Sequence, residues 1–128
     1  MNDPERAVII LGASEDRSRF ANKAVRAHLD AGFRVYPVHP TADSSEGIPT
    51  SRSIAEVPGQ ASLLLLYVRP AIGLEVIDQA PAKGVRRVLL NPGSESAELI
   101  TRIEALGMEA IEACSIVALG RRPSEFPA

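Results

Sequence analysis

The sequence predicts an α/β fold: one domain built on a doubly wound, five-stranded, mostly parallel sheet. Three observations predict it. Short apolar runs such as Ala7-Val8-Ile9-Ile10-Leu11 and Leu63-Leu64-Leu65-Leu66 lack the polar alternation of a strand with one wet face, so they read as strands covered on both sides. Between them lie longer runs with apolar residues at helical spacing. The strand-then-helix unit recurs every ~25–30 residues, the rhythm of βαβ units. At 128 residues the chain has the length of one ordinary domain and leaves no room for a second.

The elements follow in order. The first strand, 7–11, ends at Gly12. A helix over 19–31 follows. Phe20, Ala24, Ala27 and Ala31 form its inner stripe, Val25 and Leu29 widen it, and Gly32 stops it. Arg34-Val35-Tyr36-Pro37-Val38 is the second strand; Pro37, which cannot donate to a ladder, is tolerable near its end. Residues 39–52 are polar and irregular. Ser53-Ile54-Ala55-Glu56-Val57 predicts a short helix, with Ser53 and Glu56 at capping-box spacing. Pro58-Gly59 turns the chain towards a third strand, 63–68. A helix over 71–83 buries Ile72, Val76 and Ile77; Pro81 distorts its last turn and Gly84 ends it. A fourth strand covers 86–90. A helix over 96–106 carries Leu99, Ile103 and Leu106, and Gly107 closes it. Residues 109–112 make a short fifth strand, and 116–119 one more helical turn. The domain therefore spans 5–119, and 120–128 is a loose C-terminal tail. Right-handed crossovers assemble these pieces into a single Rossmann-like sheet, ordered 3-2-1-4-5.

Composition removes several classes of function. Fourteen Lys+Arg against sixteen Asp+Glu leave a net charge of −2, where an electrostatic binder of nucleic acid is strongly basic. Aromatic residues are 4% with no Trp, so base-stacking platforms are scarce. No apolar run approaches the ~20 residues that cross a bilayer, and the N-terminus has no signal core. One cysteine, Cys114, excludes an intrachain disulfide and fits a cytoplasmic protein. With His28 and His39 it makes no metal-ligand spacing. No Ser-His-Asp arrangement exists, so no catalytic residue is assigned. His28, mid-helix among charged and small residues, reads as a solvated histidine. Cys114 reads as a small buried hydrophobe without a base to activate it. The pairs Arg86-Arg87 and Arg121-Arg122 read as solvated charges.

In a doubly wound sheet, ligands bind beyond the carboxyl ends of the strands, where the strand order reverses. The residues there are Gly12-Ala13-Ser14, His39-Pro40, Val68-Arg69-Pro70, Asn91-Pro92-Gly93-Ser94 and Cys114. Gly12 permits a tight turn and close approach of an anion to the backbone. The following helix would aim free N–H groups at that anion. Ser14 adds a hydroxyl. Arg17 and Arg19 add charge, partly offset by Glu15 and Asp16. The dinucleotide fingerprint G-x-G-x-x-G is broken by Ser14 and Arg17, and the second strand ends without the acid that holds a ribose. That argues against NAD. No P-loop occurs, and Gly12 and Arg69 stand where a receiver domain needs acids.

Taken in order, Ile9-Ile10-Leu11-Gly12-Ala13-Ser14, Gly32-Phe33-Arg34-Val35-Tyr36-Pro37-Val38-His39-Pro40, Gly47-Ile48-Pro49, Val68-Arg69-Pro70 and Asn91-Pro92-Gly93-Ser94-Glu95 resemble the stand-alone CoA-binding domain family. These are Rossmann-like proteins similar to the CoA-binding domain of succinyl-CoA synthetase alpha subunits. Many members also have a cysteine where Cys114 falls. The resemblance covers roughly 5–119 and implies binding of coenzyme A or a short acyl-CoA, without catalysis. It implies that Gly12, Ala13 and Ser14 hold the pyrophosphate with Arg19 as charge partner. Val38, His39 and Pro40 would line the adenosine side. Val68, Arg69 and Pro70 would pack the adenine or the start of the pantetheine arm, and Asn91, Pro92 and Gly93 would guide that arm. The chain departs from the family in having His39-Pro40 for Asn-Pro, Thr41-Ala42 where a lysine is common, and Ala113 where a basic residue is common. Arg19 and Arg69 are then the cations left to meet the ligand's charge. The synthetases' phosphorylated histidine lies in a second domain, so neither His28 nor His39 inherits its role. The expected partner is a small-molecule CoA ligand, with neither nucleic acid nor membrane; a protein partner is open. The alternative is a small NAD(P)- or acyl-CoA-dependent enzyme or redox regulator with Cys114 or His39 reactive.

Overall fold

The computed structural model describes residues 3–128. The apolar runs form β1 (Ala7–Leu11), β2 (Arg34–Val38), β5 (Leu63–Leu66), β6 (Arg87–Leu90) and β7 (Glu109–Glu112). Two further short strands, β3 (Ser44–Ser45) and β4 (Ile48–Pro49), make a separate hairpin. The five long strands lie in the order β2-β1-β5-β6-β7, and all neighbours are parallel.

This is the expected Rossmann-like sheet, with one refinement of strand identity. The outer flank of β2 carries the next stretch of chain only as a single parallel bridge, Val38 to Ser51. That bridge holds the place of strand three in a 3-2-1-4-5 order. The run Leu63–Leu66 instead pairs with β1 and takes the central place. The reason is burial: Leu64, Leu65 and Leu66 are all fully buried, so both faces of this strand need cover that an edge does not offer.

Strand alternation sorts the core into two layers. Ile9, Leu11, Leu64, Leu66, Val88 and Leu90 face α2 (Pro70–Val76) and α3 (Ala97–Ala105), meeting Leu99 and Ile103. Val8, Ile10, Leu65 and Leu89 face α1 (Phe20–Asp30) and α4 (Ser115–Ala118), meeting Ala24, Val25 and Ile116. Gly73 lets α2 approach α3, for a β-carbon there would lie 2.9 Å from a Leu99 methyl. No described helix is long and apolar enough to cross a membrane.

Several expectations are corrected. The helix over 71–83 stops at Val76 and continues as two 3-10 turns, Ile77–Gln79 and Pro81–Lys83. Pro81 lacks the N–H that would continue the ladder and crowds the preceding turn. Residues 54–56 form a 3-10 turn, and Ser53 caps no amide; its hydroxyl donates to the Glu56 carboxylate at 3.0 Å. His28 is buried, at 1% exposure, with Nδ1 2.8 Å from the Ala24 carbonyl and its ring edge-on to Phe33. Burial pushes its pKa below the ordinary 6.5, against the opposing pull of the Ala24 carbonyl.

The C-terminal segment is docked rather than loose. Phe126 is buried against the α1 layer. Arg26 donates to the carbonyls of Phe126 and Pro127 at 3.0 and 2.7 Å. Arg121 pairs with Asp30 at 2.5 Å and Glu125 at 2.8 Å and stacks over the Phe126 ring. Arg121 is therefore a clamp between the tail and α1. An isolated solvated charge, as the sequence suggested, would have no such partners.

Candidate ligand-binding site

The register of the sheet places the site. Val38 pairs with Leu11, Leu11 with Leu66, Leu66 with Leu90, and Leu90 with Glu112. The last residues of all five strands thus stand in one row, and Gly12, His39, Tyr67, Asn91 and Ala113 emerge together beyond it. A groove of about 470 Å³ lies beyond the ends of β5, β6 and β7. Its walls are Phe20, Tyr67, Val68, Arg69, Asn91, Pro92, Gly93, Ser94 and Cys114.

The two central strand ends are packed without a gap. Gly12 has φ +92, and a β-carbon there would lie 2.7 Å from the Tyr67 carbonyl oxygen. The Gly12 and Ala13 amides both donate to the Val38 carbonyl, at 3.0 and 3.2 Å. These two N–H groups are therefore spent within the sheet and do not point at an anion. The helix that follows starts at Phe20, with Arg19 as its N-cap, as expected. The first bond of that helix is from Lys23 to the Arg19 carbonyl, so the amides of Phe20, Ala21 and Asn22 precede its ladder.

A hairpin props the loop between β1 and α1. Glu46 and Gly47 have φ of 50 and 77, the left-handed pair that a two-residue hairpin turn needs. Ser45 donates to the Ser14 carbonyl at 2.7 Å, and Ser44 donates to Glu15 at 2.9 Å. The Glu46 carboxylate accepts from buried Asn22 at 3.1 Å and pairs with Arg17 at 3.4 Å. Arg19 stays free of this web apart from a loose 3.8 Å pair with Asp16, and its side chain is 72% exposed. Two bonds from Ser18 and the nearby Arg19 hold the Asp16 carboxyl below its ordinary range.

The far wall is built on buried hydrogen bonds. Asn91 donates to the Leu66 carbonyl at 3.0 Å and accepts from the Ser115 amide at 2.9 Å. Ser94 donates to the same Leu66 carbonyl at 2.9 Å. Asn91 therefore ties the end of β5 to the start of α4. The Tyr67 hydroxyl lies 2.6 Å from the Ser115 hydroxyl. Burial pushes the Tyr67 pKa up to about 12; the Ser115 bond opposes the rise and the neighbouring Cys114 adds to it.

The structure brings Val68, Arg69, Asn91, Pro92 and Gly93 together in the groove wall. It leaves Gly12, Ala13, Ser14, Arg19, Val38, His39, Pro40 and Pro70 outside that wall. Val38 and Ala13 are buried, so only their backbone is near the strand ends. Pro70 is the first residue of α2. The His39 Nδ1 accepts from the amides of Thr41 and Ala42, at 3.1 and 2.8 Å, which makes it a turn cap. Among the described residues no three His, Cys, Asp or Glu side chains gather as a metal site.

Two wall residues, Phe20 and Tyr67, were not expected at the site, and Cys114 was expected there only as a buried side chain. Phe20 was expected in the buried stripe of α1, yet it is 59% exposed, because at the first turn its side chain leans back past the helix end. Cys114 was expected to be buried, yet it is half-buried in the groove wall. Tyr67 carried a signal: it is the first residue beyond the row of strand ends and the first polar tip after four leucines.

An open parallel sheet with an apolar groove at the carboxyl ends of its strands defines a Rossmann-like domain. The family model for the CoA binding domain matches residues 6–120, and the chain belongs to that family. A conserved hypothetical protein from Pyrococcus furiosus has the same fold, with a TM-score of 0.80 and 32% identity over 88% of this chain and 98% of that one. The alpha subunit of an ADP-forming acetate–CoA ligase II from the same organism is 24% identical over 86 residues, 66% of this chain. The chain spans 19% of that subunit's length. The dinucleotide-forming acetyl-coenzyme A synthetase 1 of Ca. Korarchaeum cryptofilum, solved with phosphate and ADP, is 28% identical, with a TM-score of 0.73 over 84% of this chain and 25% of that one.

Proposed function

We propose that this domain binds coenzyme A or a short acyl-CoA across the carboxyl ends of the sheet and performs no chemistry on it. One observation carries the reading: a mostly apolar groove of about 470 Å³, with Arg69 and Cys114 among its walls, lies next to the loop that bears the exposed Arg19. CoA has the matching form, a thin arm attached to an anionic nucleotide. The arm lies along Val68, Pro92 and Gly93. The phosphates lie over the start of α1, where Arg19 and the amides of the first turn face them. His39 and Pro40 border the adenosine side. Gly12 and Ala13 contribute shape, since their amides are already bonded to Val38. Ser14 contributes by its place in the braced loop. Pro70 starts α2 and so sets where Arg69 leaves the sheet.

Calorimetric titration of the purified protein with CoA, acetyl-CoA and NAD tests the reading, together with native mass spectrometry of any ligand it retains. Saturable binding of CoA or acetyl-CoA, tighter than NAD, is expected. NAD binding without CoA binding overturns it.

A further inference from the structure

The groove contains one hydroxyl whose hydrogen has no use within the protein. Tyr67 and Ser115 meet at 2.6 Å, and among the described residues neither hydroxyl has another partner. Two hydroxyls hold two hydrogens, and their mutual bond uses one. If Tyr67 were the donor, the Ser115 hydrogen would be left at a side chain 1% exposed. A buried donor without an acceptor is the costlier arrangement. The favoured one has Ser115 donating to Tyr67, which leaves the phenol hydrogen free on the side of the groove that Tyr67 lines. Around it the side chains of Phe20, Val68 and Pro92 carry no acceptor, and the Asn91 amide is committed to Leu66 and Ser115.

We infer that Tyr67, held in place by Ser115, donates a hydrogen bond to a carbonyl oxygen of the ligand's arm, and so selects ligands with a carbonyl at that depth. This rests on the CoA reading above. Coenzyme A offers such oxygens in the two amides of its pantetheine arm, and an acyl-CoA adds the thioester. The phenol stays protonated throughout: it accepts from Ser115 and donates to the ligand.

The test compares the parent with Tyr67→Phe, using CoA, acetyl-CoA and adenosine 3′,5′-bisphosphate, which lacks the arm. Loss of one neutral hydrogen bond corresponds to roughly three- to tenfold weaker binding. An amide partner predicts that loss for CoA and acetyl-CoA alike. A thioester partner predicts it for acetyl-CoA alone. In either case the bisphosphate binds both proteins equally. CoA and acetyl-CoA binding Tyr67→Phe as tightly as the parent overturns the inference while the CoA reading stands. So does a parallel loss for the bisphosphate, which marks a general distortion. A parent that binds none of the three defeats the CoA reading itself. If Tyr67→Phe does not fold, infrared spectra of the parent with carbonyl-labelled ligands replace it. A hydrogen bond holds one labelled carbonyl of the bound ligand below its stretching frequency in a solvent without donors, and no carbonyl so lowered overturns the inference.

Discussion

Gly12 and the carbonyl of Tyr67 are so close that a β-carbon on Gly12 would lie 2.7 Å from the oxygen. The Tyr67 amide also donates to the Leu11 carbonyl at 3.0 Å, so the ends of β1 and β5 close on each other at the point where the strand order reverses. The glycine serves the fold at least as much as the ligand. Gly12→Ala therefore strains a positive φ and presses on backbone that cannot swing aside. The expected cost is about 2 kcal/mol or more, with a fall in Tm of roughly 5–10 °C for a chain of this size. Calorimetry checks it. An unchanged Tm would contradict the close approach.

The arginines beside the groove are not equivalent to those elsewhere. Arg19 has only a loose partner, and Arg69 lines the groove. A charge-assisted hydrogen bond to phosphate contributes roughly 1.5–3 kcal/mol, so Arg19→Ala and Arg69→Ala should each weaken CoA binding about tenfold to a hundredfold. Added salt should shrink that loss. Arg86 is the control, for it pairs with Glu5 at the amino end of the sheet. Arg121 is no control, because it clamps the tail. Parent-like affinity in both groove variants would move the phosphates elsewhere.

Buried His28 makes stability depend on pH in one direction. Its pKa is depressed in the folded protein, so the unfolded chain binds the extra proton first. Its contribution is whole above the unfolded value near 6.5 and is lost as pH falls from there towards the folded pKa. Thermal unfolding between pH 7.5 and 5 should show a falling Tm, and His28→Leu should flatten this part of the slope. Equal slopes in the two proteins would assign the effect to other groups.

The tail contributes to folding through Phe126. Removing that ring from beneath Arg121 should destabilise the protein by about 2 kcal/mol, below the usual range for a central phenylalanine because the site lies at the margin of the core. Urea unfolding of Phe126→Ala measures this. A midpoint like the parent's would show that the segment is only laid on the surface.

Cys114 reports on occupancy of the groove. Its thiol is half-buried in the wall, so iodoacetamide should modify it in the free protein, and saturating CoA should slow that reaction several-fold. Peptide mass spectrometry follows the modification. A rate indifferent to CoA would place the arm away from Cys114.

The sequence alone determined which segments become the five strands of the main sheet and which edge of that sheet gathers their carboxyl ends. Continuous runs such as Ala7–Leu11 and Leu63–Leu66 can be satisfied only by cover on both faces, and that requires crossover helices. Gly32, Gly84 and Gly107 mark where elements end, since all three take a positive φ. Strand ends in a parallel sheet share one edge, so Val68-Arg69 and Asn91-Pro92-Gly93 were legible as neighbours at that edge, and they line the groove there. Tertiary structure decided what depends on distant neighbours. Leu63–Leu66 became central because β1 and β6 cover its edges and helices both its faces. His28 is buried because Phe33 closes over it, a fact its charged sequence neighbours conceal. Phe20 faces the groove because the helix begins there and no helical turn precedes it. Arg121 and Phe126 dock through Asp30 and Arg26, roughly a hundred residues earlier in the chain. The Tyr67–Ser115 pair joins residues 48 apart. Local pattern records the period of burial along a segment, whereas these pairings are settled only when the sheet brings separate segments side by side.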